Sequence, residues 1–184
     1  YKLCKQSDCK HDFSEKDEIF INLTSTYFIQ ICEIFMNAHK GKIYTLDYLG
    51  NENYFYDSNT RLWVNIKGSY FIRNMIKSFM TKLINKYRSS FLARLNDSQR
   101  NSNDYETNII ILKLDRIIQY LNTMSYIHKI FSEISRRIYS PTFFSRLDLQ
   151  KNLLPILDKK CIDLSDGKIV KRLKSHFFSY ELNV

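Results

Sequence analysis

The sequence predicts an α+β fold that is predominantly helical, with a small three-stranded antiparallel sheet, a helical bundle and a C-terminal β-hairpin. Before Gly68, short segments at 42–46, 53–57 and 62–67 combine β-forming residues with turn residues between them, which predicts three strands. After Gly68 the apolar residues recur at intervals of three and four, which predicts helices. Near the end of the chain, the pair Asp166-Gly167 separates two short apolar runs, and Asp-Gly favours a tight hairpin turn.

The three strands should form the sheet at about 42–67, and at least three long helices should fill about 69–139. Ser69 is a candidate N-cap for the first of these helices. Its apolar stripe consists of Ile72, Met75, Ile76, Phe79, Leu83 and Tyr87. A polar loop at 96–104 should follow, then a helix at 108–121 and another that ends near Ser140-Pro141, because a residue before proline disfavours the α region. We place the hairpin at about 156–172, after this last helix.

The length of 184 residues allows one well-buried core. We expect residues 1–17, which are polar, to be a linker or the end of an upstream module, and residues 18–184 to be a single domain. Because the sequence begins at Tyr1 without an initiator methionine, we expect it to be a fragment of a longer protein. No apolar run approaches the roughly 18 residues that a membrane span needs, so we expect no membrane partner. The four scattered cysteines favour a reducing, intracellular setting.

Positive charge is concentrated in one stretch of the chain. Between Arg61 and Arg100 there are nine basic residues and one acid, Asp97, so this stretch carries +8 of a total formal charge of +9. A local excess of this size attracts polyanions such as nucleic acid, although a solvated helix face gives the same pattern. We predict that the nucleic-acid-binding residues are Arg61, Lys67, Arg73, Lys77, Lys82, Lys86 and Arg88.

The sequence contains no motif for catalysis. Its four glycines, at 41, 50, 68 and 167, cannot form a glycine-rich phosphate loop. Asp47, Asp57 and Asp163 are isolated, whereas metal-dependent nucleotide chemistry uses clustered carboxylates, so turn roles explain them better. We therefore expect this fragment to be non-catalytic and to bind no cofactor.

A zinc site near the start of the chain is a weak candidate. Cys4, Cys9 and His11 are ligand types that zinc prefers, but a structural site needs four ligands and only three are clustered here. A solvated tail with incidental cysteines explains them better. Cys32 and Cys161 lie in apolar surroundings and are predicted to be small core residues.

The aromatic residues of the predicted sheet have two possible roles. Tyr54, Tyr56 and Trp63 are able to stack on the bases of a single strand. Half of the side chains on each strand must nevertheless face the core, and we expect Trp63 to be buried.

Two segments of the chain together resemble a known arrangement. Residues 153–184 give a short strand, a strand, the Asp166-Gly167 turn, a strand and an aromatic exit, and residues 53–57 with Leu62-Trp63-Val64 give an aromatic strand, a turn and a tryptophan strand before a helix. This order resembles the helical accessory domain that precedes the superfamily 3 helicase core in poxvirus-type viral primase–helicases, a group that includes phage and large-DNA-virus replication proteins.

The resemblance implies a non-catalytic accessory or collar domain in viral DNA replication. It would contribute sequence-independent DNA contacts or subunit assembly ahead of an ATP-driven, hexameric unwinding motor. Its partners would be DNA, its own helicase domain and neighbouring subunits, while ATP and Mg²⁺ would belong to the parent protein, a helicase with or without primase activity. The setting would be the host cytoplasm or a viral replication site.

Two other functions are open at this point. The Trp63 hairpin and the helix after it could form a stand-alone, winged-helix-like regulator that binds nucleic acid. The chain could instead be a virus–host protein-interaction domain, in which the basic residues only maintain solubility.

Overall fold

The computed structural model describes residues 27–97 and 104–182. Four helices and six strands follow in chain order: α1 Tyr27–Ala38, β1 Ile43–Thr45, β2 Glu52–Asp57, β3 Leu62–Lys67, α2 Tyr70–Asp97, α3 Asp104–Leu121, α4 Met124–Ile138, β4 Leu153–Ile156, β5 Lys160–Asp163 and β6 Ile169–Lys171. The predicted α+β class with dominant helices is confirmed. The described residues form two compact units. The first unit holds residues 39–69 and 135–182, and the second holds residues 27–38, 70–97 and 104–134. Within the described ranges, no helix combines the length and apolar character needed to cross a membrane.

The first sheet contains β1, β2 and β3, each antiparallel to its neighbour. All three strands lie where the sequence predicted them, within one or two residues at each end. Asp47 organises the loop after β1, because its carboxylate accepts hydrogen bonds from the backbone N–H groups of Leu49 (2.7 Å) and Glu52 (3.0 Å). Burial raises the pKa of Asp47, but the backbone donors outweigh this and hold it below its ordinary value. Asp47 therefore has the turn role that its isolation in the sequence predicted.

The second sheet contains β4, β5 and β6, again antiparallel. The predicted hairpin is β5–β6, with β4 added on its far side, but its turn differs from a two-residue Asp-Gly turn. Of that pair only Gly167 has a positive φ, 71°. The loop is longer, because the N–H of Asp163 donates to the carbonyl of Lys168 at 2.8 Å and leaves residues 164–167 outside the ladder. The hydroxyl of Ser165, which donates to the Asp163 carboxylate at 2.6 Å, stabilises this longer loop and lowers the pKa of Asp163.

An aromatic cluster forms the core of the first unit. Tyr54, Tyr56, Trp63 and Phe143 are buried there, and Trp63 is only 1% exposed. The ring centroids of Trp63 and Phe143 lie 4.8 Å apart in an edge-to-face arrangement. The aromatic C-terminal segment covers this cluster, since the backbone N–H of Trp63 donates to the carbonyl of Phe178 at 2.8 Å. The predicted burial of Trp63 is confirmed.

A fully buried arginine ties the two sheets together. The guanidinium of Arg172 donates to the carbonyls of Thr60 (3.0 Å) and Ile156, and its Nη2 lies 2.9 Å from the Glu181 carboxylate. Burial raises the pKa of the nearby Cys161 thiol, although the charge of Arg172 and its hydrogen bond to the thiol oppose part of this rise. Because its acceptors come from the first sheet, from β4 and from the C-terminal segment, Arg172 fixes three parts of the unit at once.

The second unit is helical, and its buried faces differ in detail from the predicted stripe. On α2 the fully buried side chains are Ile72, Ile76, Met80 and Ile84, each four residues after the last. Met80 and Ile84 were not predicted, while the predicted Met75 and Leu83 are half-buried. A spacing of four residues advances about 400° around the helix, so the buried face winds gradually around α2. Cys32 is buried beside α4, where its thiol lies 3.9 Å from the carbonyl of Ile130, so the predicted core role of Cys32 is confirmed.

Candidate nucleic-acid interface

The seven residues predicted to bind nucleic acid do not form one group. Arg61 and Lys67 belong to the first unit, where Arg61 directly precedes β3 and Lys67 is its last residue, whereas the other five lie on α2 in the second unit. Arg100, at the end of the basic stretch, lies outside the described residues. The predicted binding residues are therefore divided between the two units.

The basic residues of α2 occupy two sides of the helix. Arg73 and Lys77 are one turn apart, and so are Lys82 and Lys86. Nine residues separate Arg73 from Lys82, which is about 180° around an α-helix, and the same offset separates Lys77 from Lys86. These four residues thus form two separate basic pairs on opposite sides of α2.

The five basic side chains also differ in their surroundings. Lys77, Lys82 and Lys86 are exposed. Arg73 is half-buried, and its Nε atom is buried without a hydrogen-bond partner among the described residues. Arg88 forms an ion pair with Asp115 of α3, with 2.7 Å between Nε and Oδ1, so much of its charge is already compensated. The lysines are consequently the residues of this set that are best placed to meet a polyanion.

Tyr70 adds an exposed aromatic ring to one of the two sides. It is the first residue of α2 and is 70% exposed. Lys77 follows seven residues later, which is about 20° short of two full turns, so the two side chains share a face. Arg73 lies beside them, one turn from Lys77. We call Tyr70, Arg73 and Lys77 the Tyr70 face.

The Tyr70 face combines two features of proteins that bind single strands, an aromatic ring on which a base can stack and cations for the backbone. The Lys82–Lys86 pair has the charge without the ring. Across the whole of α2 the only acid is Asp97, the last residue of the helix. The exposure of Tyr70 could not be predicted from the sequence, because an aromatic residue next to a helix cap carries no periodic signal for exposure.

The two predicted residues of the first unit are engaged with neighbours. Lys67 is paired directly with Glu52 in the register of β2 and β3, which sets opposite charges across from each other. Arg61 donates from Nη1 to the carbonyl of Arg172 at 3.1 Å and lines a cleft with Lys159, Lys160 and Lys171. Those three lysines were not selected from the sequence. In the sequence, two pairs of neighbouring basic residues flank the hairpin and would have indicated this cleft: Lys159-Lys160 and Lys171-Arg172.

The aromatic side chains predicted as alternative stacking platforms are buried. Tyr54, Tyr56 and Trp63 are 5%, 8% and 1% exposed, so none presents a ring face to solvent. Burial also raises the pKa of Tyr56. The stacking role proposed for these three residues is therefore wrong, and they serve the core.

The candidate zinc ligands Cys4, Cys9 and His11 lie outside the described residues. Within the ranges that the structure describes, no group of three or more histidine, cysteine, aspartate or glutamate side chains could hold a metal ion.

No protein-family model matches the chain, and no curated protein matches it either.

Proposed function

We propose that the chain is a non-catalytic accessory domain of a viral replicative primase–helicase and that it contacts single-stranded DNA through the Tyr70 face of α2. The observation that carries the proposal is an exposed aromatic ring beside two cations, on a helix whose only acid is its last residue. A base would stack on Tyr70 while Lys77 meets a backbone phosphate. Such contacts read no base sequence, so binding should be sequence-independent.

The order of elements supports the kinship with these accessory domains. A tryptophan-bearing antiparallel sheet precedes a long helix, further helices follow, and a three-stranded sheet with an aromatic exit comes last. In such a protein the unwinding motor, with its ATP and Mg²⁺, would follow this domain, and several copies in a ring would strengthen weak single contacts through effective concentration. The host cytoplasm or a viral replication site would then be the location.

The winged-helix alternative is less well supported by the contacts of the β2–β3 hairpin. A wing needs a free tip, whereas the tip residues Thr60 and Arg61 both exchange hydrogen bonds with Arg172. The remaining alternative, a virus–host interaction domain, requires no affinity for DNA. A measurement of DNA binding therefore distinguishes it from the proposed function.

The proposal is tested by fluorescence anisotropy of a labelled oligothymidylate of about 15 nucleotides, titrated with the chain across a salt series. Tyr70→Ala leaves the charge unchanged, so we expect affinity to fall by about fivefold or more, from the roughly 1–3 kcal/mol that one stacked base contributes, with the salt slope preserved. Lys77→Ala should instead reduce the slope of log K against log salt by about 0.7, because one phosphate contact is lost.

Two matched controls make this test specific. Tyr105 is 75% exposed on α3 in the same unit, and Tyr105→Ala should leave affinity unchanged. The double variant Lys82→Ala/Lys86→Ala removes more charge than Lys77→Ala but leaves all three residues of the Tyr70 face unchanged. The proposal fails if Tyr70→Ala binds like the unmodified chain, or if Tyr105→Ala weakens binding as much.

A further inference from the structure

A cleft in the first unit collects positive charge away from α2. Its volume is about 320 Å³, and it lies between the turn that joins β2 to β3 and the C-terminal sheet. Four basic residues line the cleft, together with one acid, Asp158, and two apolar residues, Ile169 and Val170. The basic residues are Arg61, Lys159, Lys160 and Lys171.

Two of these lysines face each other across the sheet. Lys160 of β5 and Lys171 of β6 are direct partners in the antiparallel register, and like charges in that position destabilise a sheet. Two other acids nearby are engaged elsewhere, since Asp166 forms an ion pair with Lys168 at 2.6 Å and Glu181 pairs with Arg172 at 2.9 Å, which leaves Asp158 as the acid that faces four basic residues in the cleft. A fold that keeps this repulsive pair gains most from an anion that lies between the two ammonium groups.

Hydrogen bonds of Arg172 fix the backbone around the cleft. The N–H of Arg172 donates to the carbonyl of Lys159 at 2.8 Å, and the buried guanidinium of Arg172 reaches the carbonyls of Thr60 and Lys160. Arg61 is fixed in turn by its bond to the carbonyl of Arg172. These bonds fix the backbone from which the basic side chains extend before any ligand binds, which lowers the entropic cost of binding.

Unusual backbone conformations also concentrate here. Among the residues that the structure describes, five non-glycine residues have a positive φ, and three of them line the cleft: Arg61 (58°), Asp158 (61°) and Lys159 (62°). Such conformations cost free energy for residues with a Cβ and tend to cluster at functional sites.

We propose that this cleft binds phosphoryl groups, carried either by a polynucleotide backbone or by a free nucleotide. Phosphoryl oxygens accept several charge-assisted hydrogen bonds at once, which would turn the repulsion between Lys160 and Lys171 into two attractive contacts. Ile169, which is 64% exposed and lies on the same face of β6 as Lys171, offers an apolar surface for the sugar or base attached to the phosphate. This site goes beyond the Tyr70 face and does not depend on it.

The first test is thermal unfolding of the chain with and without pyrophosphate. We expect pyrophosphate to raise the Tm of the unmodified chain, because a ligand that binds only the folded state stabilises it. In Lys171→Gln this rise should be lost, while the Tm without pyrophosphate should stay the same or increase, since the like-charge pair is gone. Lys151→Gln, an exposed lysine of the same unit, should retain the full response.

The second test compares the same variants in the oligothymidylate titration and assigns the source of the phosphate. A salt slope reduced by about 0.7 in Lys171→Gln assigns the polynucleotide backbone. Loss of the pyrophosphate response with unchanged strand binding assigns free nucleotides instead. The proposal is overturned if Lys171→Gln retains both responses, or if Lys151→Gln loses them equally. Tyr70→Ala should leave the pyrophosphate response intact, so failure of the Tyr70 face and failure of the cleft give different results.

Discussion

Replacing Arg172 with methionine is expected to lower the free energy of unfolding by about 3 kcal/mol, the lower end of the cost of breaking a buried ion pair. The side chain of Arg172 is fully buried, and the substitution would leave the Glu181 carboxylate and the carbonyls of Thr60 and Ile156 without their donor. Glu181 keeps 28% of its side chain exposed, so water can recover part of the loss. This is why we expect a value near the lower end.

Urea unfolding followed by circular dichroism measures this effect. Lys151→Met is the matched control, because it makes the same kind of exchange at an exposed position of the same unit and should change stability by less than about 0.5 kcal/mol. Glu181→Gln removes only the charge of the partner and should cost less than Arg172→Met. A chain in which Arg172→Met is as stable as Lys151→Met would show that the guanidinium does not hold the two sheets together.

Trp63→Ala is expected to cost about 3–5 kcal/mol, the usual range when a buried large aromatic side chain is truncated. The indole is 1% exposed and has the rings of Tyr44 and Tyr56, each at 5.4 Å, and of Phe143 around it. Its Nε1–H donates to the carbonyl of Lys174 at 3.3 Å, so the truncation also removes one of the hydrogen bonds that hold the C-terminal segment.

The comparison with Val64→Ala makes this prediction specific to the cluster. Val64 is the next residue on the same strand, faces the other way and is 41% exposed, so its truncation should cost about 1 kcal/mol or less. Trp63 is also the only tryptophan of the chain, and its fluorescence should resist quenching by iodide until the first unit unfolds. Equal losses for the two variants, or free quenching in the folded chain, would contradict the buried cluster.

Much of the first sheet was predictable because local signals agree there. The three strands carry β-forming residues, and Asp47 and Asp57 supply the hydrogen bonds that turns require. The exact register of the C-terminal hairpin was not predictable in the same way. A two-residue turn at Asp166-Gly167 would pair Lys160 with Leu173, whereas the longer loop at 164–167 pairs Lys160 with Lys171. The lysine pair of the cleft is visible only once this loop is known.

The remaining differences arise where distant residues decide the outcome. Arg172 lies in the charged run Lys168–Lys174 and has no local sign of burial, since its acceptors come from Thr60, Ile156 and Glu181. The sequence of α2 contains two adjacent rows of apolar residues along the helix. Packing within the helical unit buries the row that includes Met80. Exposure of Tyr70, on which the proposed interface depends, is likewise a result of tertiary packing.

The most direct test of the proposed interface is photocrosslinking of the intact chain to a single strand that contains 5-iodouracil, followed by peptide mapping. Irradiated 5-iodouracil couples efficiently to an aromatic ring that is stacked on it, so the crosslinked residue identifies the stacking platform. Six exposed aromatic residues of the described chain compete for this reaction: Tyr48, Tyr70, Tyr105, Tyr120, Phe144 and Tyr180. We expect the main crosslink at Tyr70 and its loss when excess unlabelled strand is added. A crosslink that falls mainly on Tyr105 or Phe144, or no crosslink at a concentration where anisotropy shows the strand to be bound, would contradict the assignment of the Tyr70 face.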